Sequence, residues 1–181
     1  MSIFTITRSP IRFRGKAQDR VELHNEGDSM DLKIERYTKD KIPDVLDFEN
    51  RLREEENFWG WEINDAYIQA VEKSCEDSAF ADSVSLLAYD GDAVIGRIDS
   101  TMIASHFDGS KKAYLDCICV IKSYRHLGVA QRLLEHLRTA LKNQRIDTLI
   151  ALTASNEDAQ RFYKSVPSSK MRDTGIWIDI V

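Results

Sequence analysis

Arg125, Gly128 and Ala130 follow one another closely in Val120-Ile121-Lys122-Ser123-Tyr124-Arg125-His126-Leu127-Gly128-Val129-Ala130. An apolar, strand-like run ends before them and a helical periodicity begins at Gly128. The first turn of a helix has N–H groups without intrahelical partners and carries the positive end of the helix dipole. Such a turn is a ready anion site. Gly128 would let the backbone come close to a phosphate, Ala130 keeps the next turn uncrowded, and Arg125 adds a positive charge. The chemistry this suits is the binding of a pyrophosphate after a strand. The same residues also fit an ordinary strand-to-helix connection, and the spacing alone leaves both readings open.

The elements that would position this turn can be read on either side. Ala113 to Ile121 is a nearly continuous apolar run, which predicts a strand buried on both faces. From Gly128 to Asn143, the residues Val129, Ala130, Leu133, Leu134, Leu137, Ala140 and Leu141 form one stripe at helical spacing. Thr148 to Leu152 is a second buried strand. Strand, helix and strand make a βαβ unit, so the two strands should be parallel with a right-handed crossover. Upstream, residues 32–37 alternate as a strand. Lys41 to Glu56 reads as a helix with Pro43 in its first turn. Asn64 would cap a second helix from about Asp65 to Glu76. Ser83–Tyr89 and Ala93–Ser100, joined at Asp90-Gly91, predict a hairpin. A short helix is expected over Glu157–Ser165 and a last strand over Gly175–Val181. The run Glu54-Glu55-Glu56 reads as a solvated helix end or a cation-attracting rim. Phe58-Trp59-Gly60-Trp61 reads as core packing or an aromatic substrate wall.

The chain has 181 residues, 43% hydrophobic and 30% charged, which is globular composition for one domain plus an arm. We place the boundary near Asp31, with an arm over residues 1–30 and a domain over 31–181. The arm is expected to be a flexible tail. An extra strand around Ile3-Phe4-Thr5-Ile6-Thr7 and an Arg-rich, acid-poor transit peptide are the other readings. The net charge of −5 argues against nucleic acid as a partner and tolerates a cationic one. No apolar stretch approaches the ~18 residues of a membrane span. Three cysteines without zinc-like spacing, and no signal peptide, predict reduced thiols in a cytoplasmic protein. His24, His106 and His136 show no ligand spacing, so no metal is expected.

Two segments together carry a family resemblance. Ile118-Cys119-Val120, four spacer residues, then Arg125-x-x-Gly128-x-Ala130 followed by Leu133-Leu134 resembles the acetyl-CoA signature (R/Q)-x-x-G-x-(G/A) of the GNAT superfamily of N-acetyltransferases. Asn156, Ala159, Phe162 and Tyr163 resemble the family's second segment, N-x-x-A-x-x-(F/L)-Y. The predicted element order over residues 31–181 is similar too. The ending Ile176-Trp177-Ile178-Asp179-Ile180 and the chain length resemble the aminoglycoside 3-N-acetyltransferases of this superfamily. The sequence departs from the family in two places. Lys164 to Ser169 replaces a common Gly-Phe pair, and Ala151 stands where the ribosomal-protein acetyltransferases carry Glu.

The resemblance implies an α/β (α+β) fold with a mixed, mostly antiparallel sheet, a parallel βαβ acetyl-CoA unit and flanking helices. It implies acetyl-CoA as co-substrate. Backbone groups of Ile118, Cys119 and Val120 would pair with pantetheine as with another strand. Backbone N–H groups of Arg125, His126, Leu127, Gly128, Val129 and Ala130 would hold the pyrophosphate, and Asn156 would bond near pantetheine. Tyr163 would protonate the leaving thiolate, and the Val120 N–H would stabilise the oxyanion.

The amine must lose a proton before it attacks, and Asp116 is the carboxylate on the buried strand. Strict alternation places it on one face with Tyr114, Ile118 and Val120. A carboxylate there is costly unless paired or used. Asp116 is therefore expected as general base or amine anchor, with a structural hydrogen bond as the other reading and Asp179 as a second candidate. Neither Cys117 nor Cys119 has a His partner for a thiol mechanism. The expected acceptor is a small cationic amine. The alternatives are a protein lysine or N-terminal acetyltransferase and a non-catalytic acyl-CoA-binding regulatory module. A homodimer is in keeping with the family.

Overall fold

The computed structural model describes residues 2–4, 30–56, 62–152, 157–172 and 178. Trp59, Trp61, Asn156, Asp179 and the strand expected over 175–181 lie outside the described stretches, Ile178 apart.

Six strands form one sheet: β1 (Ser2–Phe4), β2 (Leu32–Arg36), β3 (Val84–Asp90), β4 (Ala93–Ala104), β5 (Lys111–Val120) and β6 (Leu149–Ala151). The order is β1-β5-β4-β3-β2, with β6 also on β5. Only the β5–β6 pairing is parallel. The βαβ unit and the hairpin at Asp90-Gly91 are both present, and Gly91 supplies the positive φ of 57° that the tight turn needs.

Helices α1 (Ile42–Glu56) and α2 (Asp65–Ser74) precede the hairpin, α3 (Val129–Asn143) joins β5 to β6, and α4 (Glu157–Ser165) follows β6. In α1, Val45, Phe48 and Leu52 turn inward onto Leu87, Tyr89, Val94, Cys119 and Ile121. In α3, Val129, Leu133, Leu134, Leu137 and Leu141 cover the opposite face, where they meet Leu86, Ala88, Ile95, Ile98, Leu115, Ile118 and Val120. Asn64 caps α2 by accepting from the Tyr67 N–H at 3.0 Å.

Gly96 is what lets α3 sit close. A Cβ there would lie 3.1 Å from both Leu133 Cδ1 and Val129 Cγ1. The helix start, and hence the turn before it, is held against β4 at a distance at which even a Cβ would press on both side chains.

Beta5 carries a fault in its alternation. Asp99 faces Cys117 and Ser100 faces Leu115, so Asp116 is an extra residue with no partner on β4. Such a bulge shifts the side-chain phase by one. Ala113, Leu115, Ile118 and Val120 therefore share the α3 face, while Cys117 and Cys119 turn to the α1 face. The expected grouping of Asp116 with Ile118 and Val120 is thus corrected: strict alternation cannot cross the bulge. Asp116 is exposed, whereas its neighbours Leu115 and Ile118 are buried.

Candidate active site

The outer edge of β5 changes partner along its length. Beta6 pairs with Ala113, Tyr114 and Leu115 and goes no further. Beyond it, Cys117, Ile118 and Cys119 face Phe4, Ile3 and Ser2 of β1. On the inner edge the Ile121 N–H donates to the Ile95 carbonyl at 2.9 Å. Hydrogen-bonded and non-bonded pairs alternate in an antiparallel ladder. The opposed pairs Arg97/Cys119, Gly96/Val120 and Ile98/Ile118 then fall into order. Cys119 directs its backbone groups to β4, while Ile118 and Val120 direct theirs to the outer edge. Of the three residues expected to pair with an arm of ligand, two face outward and Cys119 does not.

After β5 the chain makes a single 3-10 turn over Lys122–Tyr124 and reaches the Arg125–Gly128 turn. His126 and Leu127 are exposed, and His126 and Gly128 adopt φ of 64° and 83°. Gly128 is the N-cap of α3, and no side chain caps that helix. Nothing lies within 4 Å of where a Gly128 Cβ would stand. Among the described residues nothing beyond the chain neighbours crowds the Gly128 Cα at the positive end of α3, with Val129 buried and Ala130 half-buried in the first turn.

Arg125 is placed differently from expectation. Its Nε donates to the Val120 carbonyl at 3.3 Å and its guanidinium is ion-paired with Glu56. Its own backbone N–H donates to the Lys122 carbonyl at 3.2 Å. The side chain ties the turn to the end of α1 and to the end of β5 rather than standing free above the turn. The acidic run at 54–56 accordingly acts through Glu56 on Arg125, while Glu55 accepts from the Ser123 N–H at 3.4 Å.

Tyr163 lies on α4, half-buried against the α3-side core, with its ring edge-on to Phe162 at 5.4 Å between centroids. Its hydroxyl oxygen is buried and has no hydrogen-bond partner among the described residues. Burial pushes the hydroxyl well above the usual phenol range, with Cys117 and Tyr114 adding to the effect. It stays protonated at neutral pH, and the same burial makes it a weaker acid than a free phenol.

The α1 face of the sheet holds a cavity of about 640 Å³ bordered by Asp116, Cys117, Arg97, Asp99, Glu49 and Tyr67, among others. Tyr67 Oη donates to both Glu49 carboxylate oxygens at 2.9 and 2.7 Å. Arg97 reaches Glu49 at 3.2 Å and Asp99 at 2.6 Å, and lies over the Tyr37 ring at 5.0 Å. Glu49 and Asp99 are therefore committed to Arg97. Asp116 has no ion-pair partner among the described residues. Although the residue as a whole is exposed, partial desolvation raises its carboxyl above the usual 3.8, the Asp99 charge raises it further, and Arg97 partly opposes this. Cys117 is held as a neutral thiol by its contact with the Cys119 sulfur at 3.8 Å and by burial. Among the described residues no group of three or more His, Cys, Asp or Glu could hold a metal ion, and no helix is long and apolar enough to cross a membrane.

Glu49, Tyr67, Arg97 and Asp99 were not singled out in the sequence. The available signal was Glu49 itself, a carboxylate inside the apolar stripe Val45, Phe48, Leu52.

The fold is shared with known acetyltransferases. An aminoglycoside acetyltransferase, meta-AAC0020 from an uncultured soil metagenomic sample, solved with sisomicin, superposes with a TM-score of 0.71 at 13% identity, covering 83% of this chain and 96% of that one. The aminoglycoside 6'-N-acetyltransferase AAC(6')-Ih of Acinetobacter baumannii gives a TM-score of 0.64 at 17% identity, with 83% and 99% covered. A ribosomal-protein-alanine N-acetyltransferase from Brucella melitensis biovar Abortus 2308 gives 0.66 at 15% identity, with 83% and 97% covered. No curated protein matches the chain. Residues 31–166 match the acetyltransferase (GNAT) family, and with the fold described above this chain belongs to that family.

Proposed function

We propose that the protein is an acetyl-CoA-dependent N-acetyltransferase acting on a primary amine of a small cationic molecule. The observation that carries this reading is the buried hydroxyl of Tyr163, without a hydrogen-bond partner among the described residues, on α4, a helix that contacts β1, the strand lying on the β5 edge where Ile118 turns its backbone groups outward. A buried hydroxyl without a partner is unusual and suggests a partner that arrives with substrate.

The residues present fit acetyl-CoA. The Ile118 and Val120 backbone would take the pantetheine arm by strand-like pairing. The open turn from His126 to Gly128 and the first N–H groups of α3, at Val129 and Ala130, would take the pyrophosphate. Asn156 would add a bond near pantetheine. Arg125 keeps this turn in place through Glu56 and Val120. Acetyl-CoA supplies a thioester carbonyl for the amine to attack. Because Arg125 occupies the Val120 carbonyl, the N–H is the backbone group Val120 has left for a ligand, and it would donate to the thioester carbonyl oxygen as that oxygen gains charge. Tyr163 gives its proton to the departing sulfur. A thiolate near pKa ~8.5 leaves more readily when a positioned acid protonates it.

Asp116 borders the proposed acceptor cavity and, unlike Glu49 and Asp99, has no ion-pair partner among the described residues. It would attract an ammonium group and, with its pKa raised, accept the proton the amine must lose. Several fold neighbours are aminoglycoside acetyltransferases, and aminoglycosides are polycationic amines, which agrees with an acidic acceptor anchor.

The test is product analysis by mass spectrometry after incubation with acetyl-CoA and a panel of aminoglycosides, polyamines, amino acids and peptides with free N-termini or lysines. Transfer of one acetyl group to a small polyamine or aminoglycoside supports the reading. Acetylation of peptides alone would redirect it to a protein acetyltransferase.

A further inference from the structure

We propose that the outer edge of β5 at residues 117–119 is a strand-binding site with two mutually exclusive occupants: the chain's own residues 2–4 and the pantetheine arm of acetyl-CoA. The N-terminus thereby gates cofactor binding. The inference rests on the acetyl-CoA reading above.

The register makes the overlap direct. Beta1 runs antiparallel to β5 with Ile3 opposite Ile118, Ser2 opposite Cys119 and Phe4 opposite Cys117. Ile118 directs its N–H and carbonyl outward, so Ile3 and Ile118 form the bonded pair of this short ladder. Those are the backbone groups a pantetheine arm would need. Beta6 ends at the partner of Leu115, so nothing else described occupies this edge. Beta1 also lies against α4, the helix that carries Tyr163.

The occupant is held loosely enough to leave. A three-residue strand offers few ladder bonds, and the net worth of each is small. Its tether also permits exchange. Beta1 and β2 lie at opposite ends of the strand order, four steps apart. At about 4.8 Å per step that is about 19 Å. Residues 5–31, at about 3.3 Å each when extended, reach much farther. The arm can therefore leave the edge while staying at high local concentration.

The test uses the full chain with Ile3→Pro, which removes the N–H that β1 donates to Ile118. Acetyl-CoA and adenosine 3',5'-bisphosphate, which lacks pantetheine, are titrated calorimetrically into both proteins. If the arm is docked in roughly nine molecules of ten, its release tightens acetyl-CoA binding about tenfold. Binding of the bisphosphate stays unchanged. In the wild type, amide exchange at Ile118 is slow without ligand; it accelerates in Ile3→Pro and slows again with acetyl-CoA. Ile3→Gly, which keeps the N–H, shifts both readouts in the same direction by less. Equal or weaker acetyl-CoA binding by Ile3→Pro overturns the shared edge alone. No acetyl-CoA binding by either protein overturns the cofactor reading, and the shared edge with it.

Discussion

Glu56, the last residue of α1, is ion-paired with Arg125, which opens the turn leading into α3. One pair thus joins the helix bordering the proposed acceptor cavity to the turn proposed for the pyrophosphate. The two side chains are only 20% and 14% exposed, so losing Glu56 takes the acidic partner from a largely dry Arg125 that keeps its bond to the Val120 carbonyl. Glu56→Gln is expected to cost about 1–3 kcal/mol, below the range for a fully buried pair because some water remains. Urea denaturation checks this. A double-mutant cycle with Arg125→Ala should give a favourable coupling, whereas additive single effects would show the two residues to be independent.

Gly128 separates backbone need from space need. Its φ of 83° strains any L-residue, yet no atom stands near its missing Cβ. Gly128→Ala should destabilise by about 1–2 kcal/mol through backbone strain alone. Asn tolerates this conformation better, so Gly128→Asn should cost less stability. If the open space holds phosphate, both variants should bind acetyl-CoA at least tenfold more weakly despite their different stabilities. Calorimetry beside thermal melts reads the two effects apart.

Tyr163→Phe removes a buried hydroxyl that has no partner among the described residues. Such a group gives the free protein no hydrogen-bond stability. The variant should melt at the wild-type temperature or slightly higher, and should bind acetyl-CoA within about threefold of wild type. A clear fall in melting temperature would mean the hydroxyl has a structural task instead.

Asp116 carries a pH signature. Its carboxyl sits above 3.8 in the folded protein because partial desolvation and Asp99 disfavour its charge. Between that value and the raised one, the folded state binds more protons than the unfolded state. Stability contributed by this site therefore falls as pH rises through the window and stays lower above it. Asp116→Asn should be more stable than wild type at neutral pH, with the advantage fading once pH drops below the window. Urea midpoints across pH measure this. In the same variant kcat/KM with the amine should fall, and the acid limb assigned to Asp116 should disappear.

The elements around the anion turn were legible because their signals are local. The stripe from Val129 to Leu141 and the apolar run before it fix a βαβ unit by periodicity alone, and Asn64 and Asp90-Gly91 mark their turns by chemistry. Asp116 was legible as an unusual residue but not as a placed one. The bulge at Asp99/Ser100 is a property of the pairing, and a single strand read by alternation cannot reveal it. Glu49, Arg97 and Tyr67 were hidden for a similar reason. Each is an ordinary polar residue on its own element, and only the packing of α1 on β4, with Tyr67 reaching from α2 to Glu49, brings them within hydrogen-bond distance. Arg125 shows the opposite case: its position in the motif was visible, but its partner, Glu56, lies on a distant helix and read as a solvated end.

The most direct test of the central claim is acetyl-CoA-dependent thiol release at saturating amine, measured for wild type and Tyr163→Phe side by side. The account predicts amine-dependent turnover by the wild type and a loss of about 10²-fold or more in kcat for the variant, the size expected for a positioned general acid. Equal turnover by the two proteins would contradict the role of Tyr163. No release by wild type with any amine or peptide would contradict acetyl transfer itself.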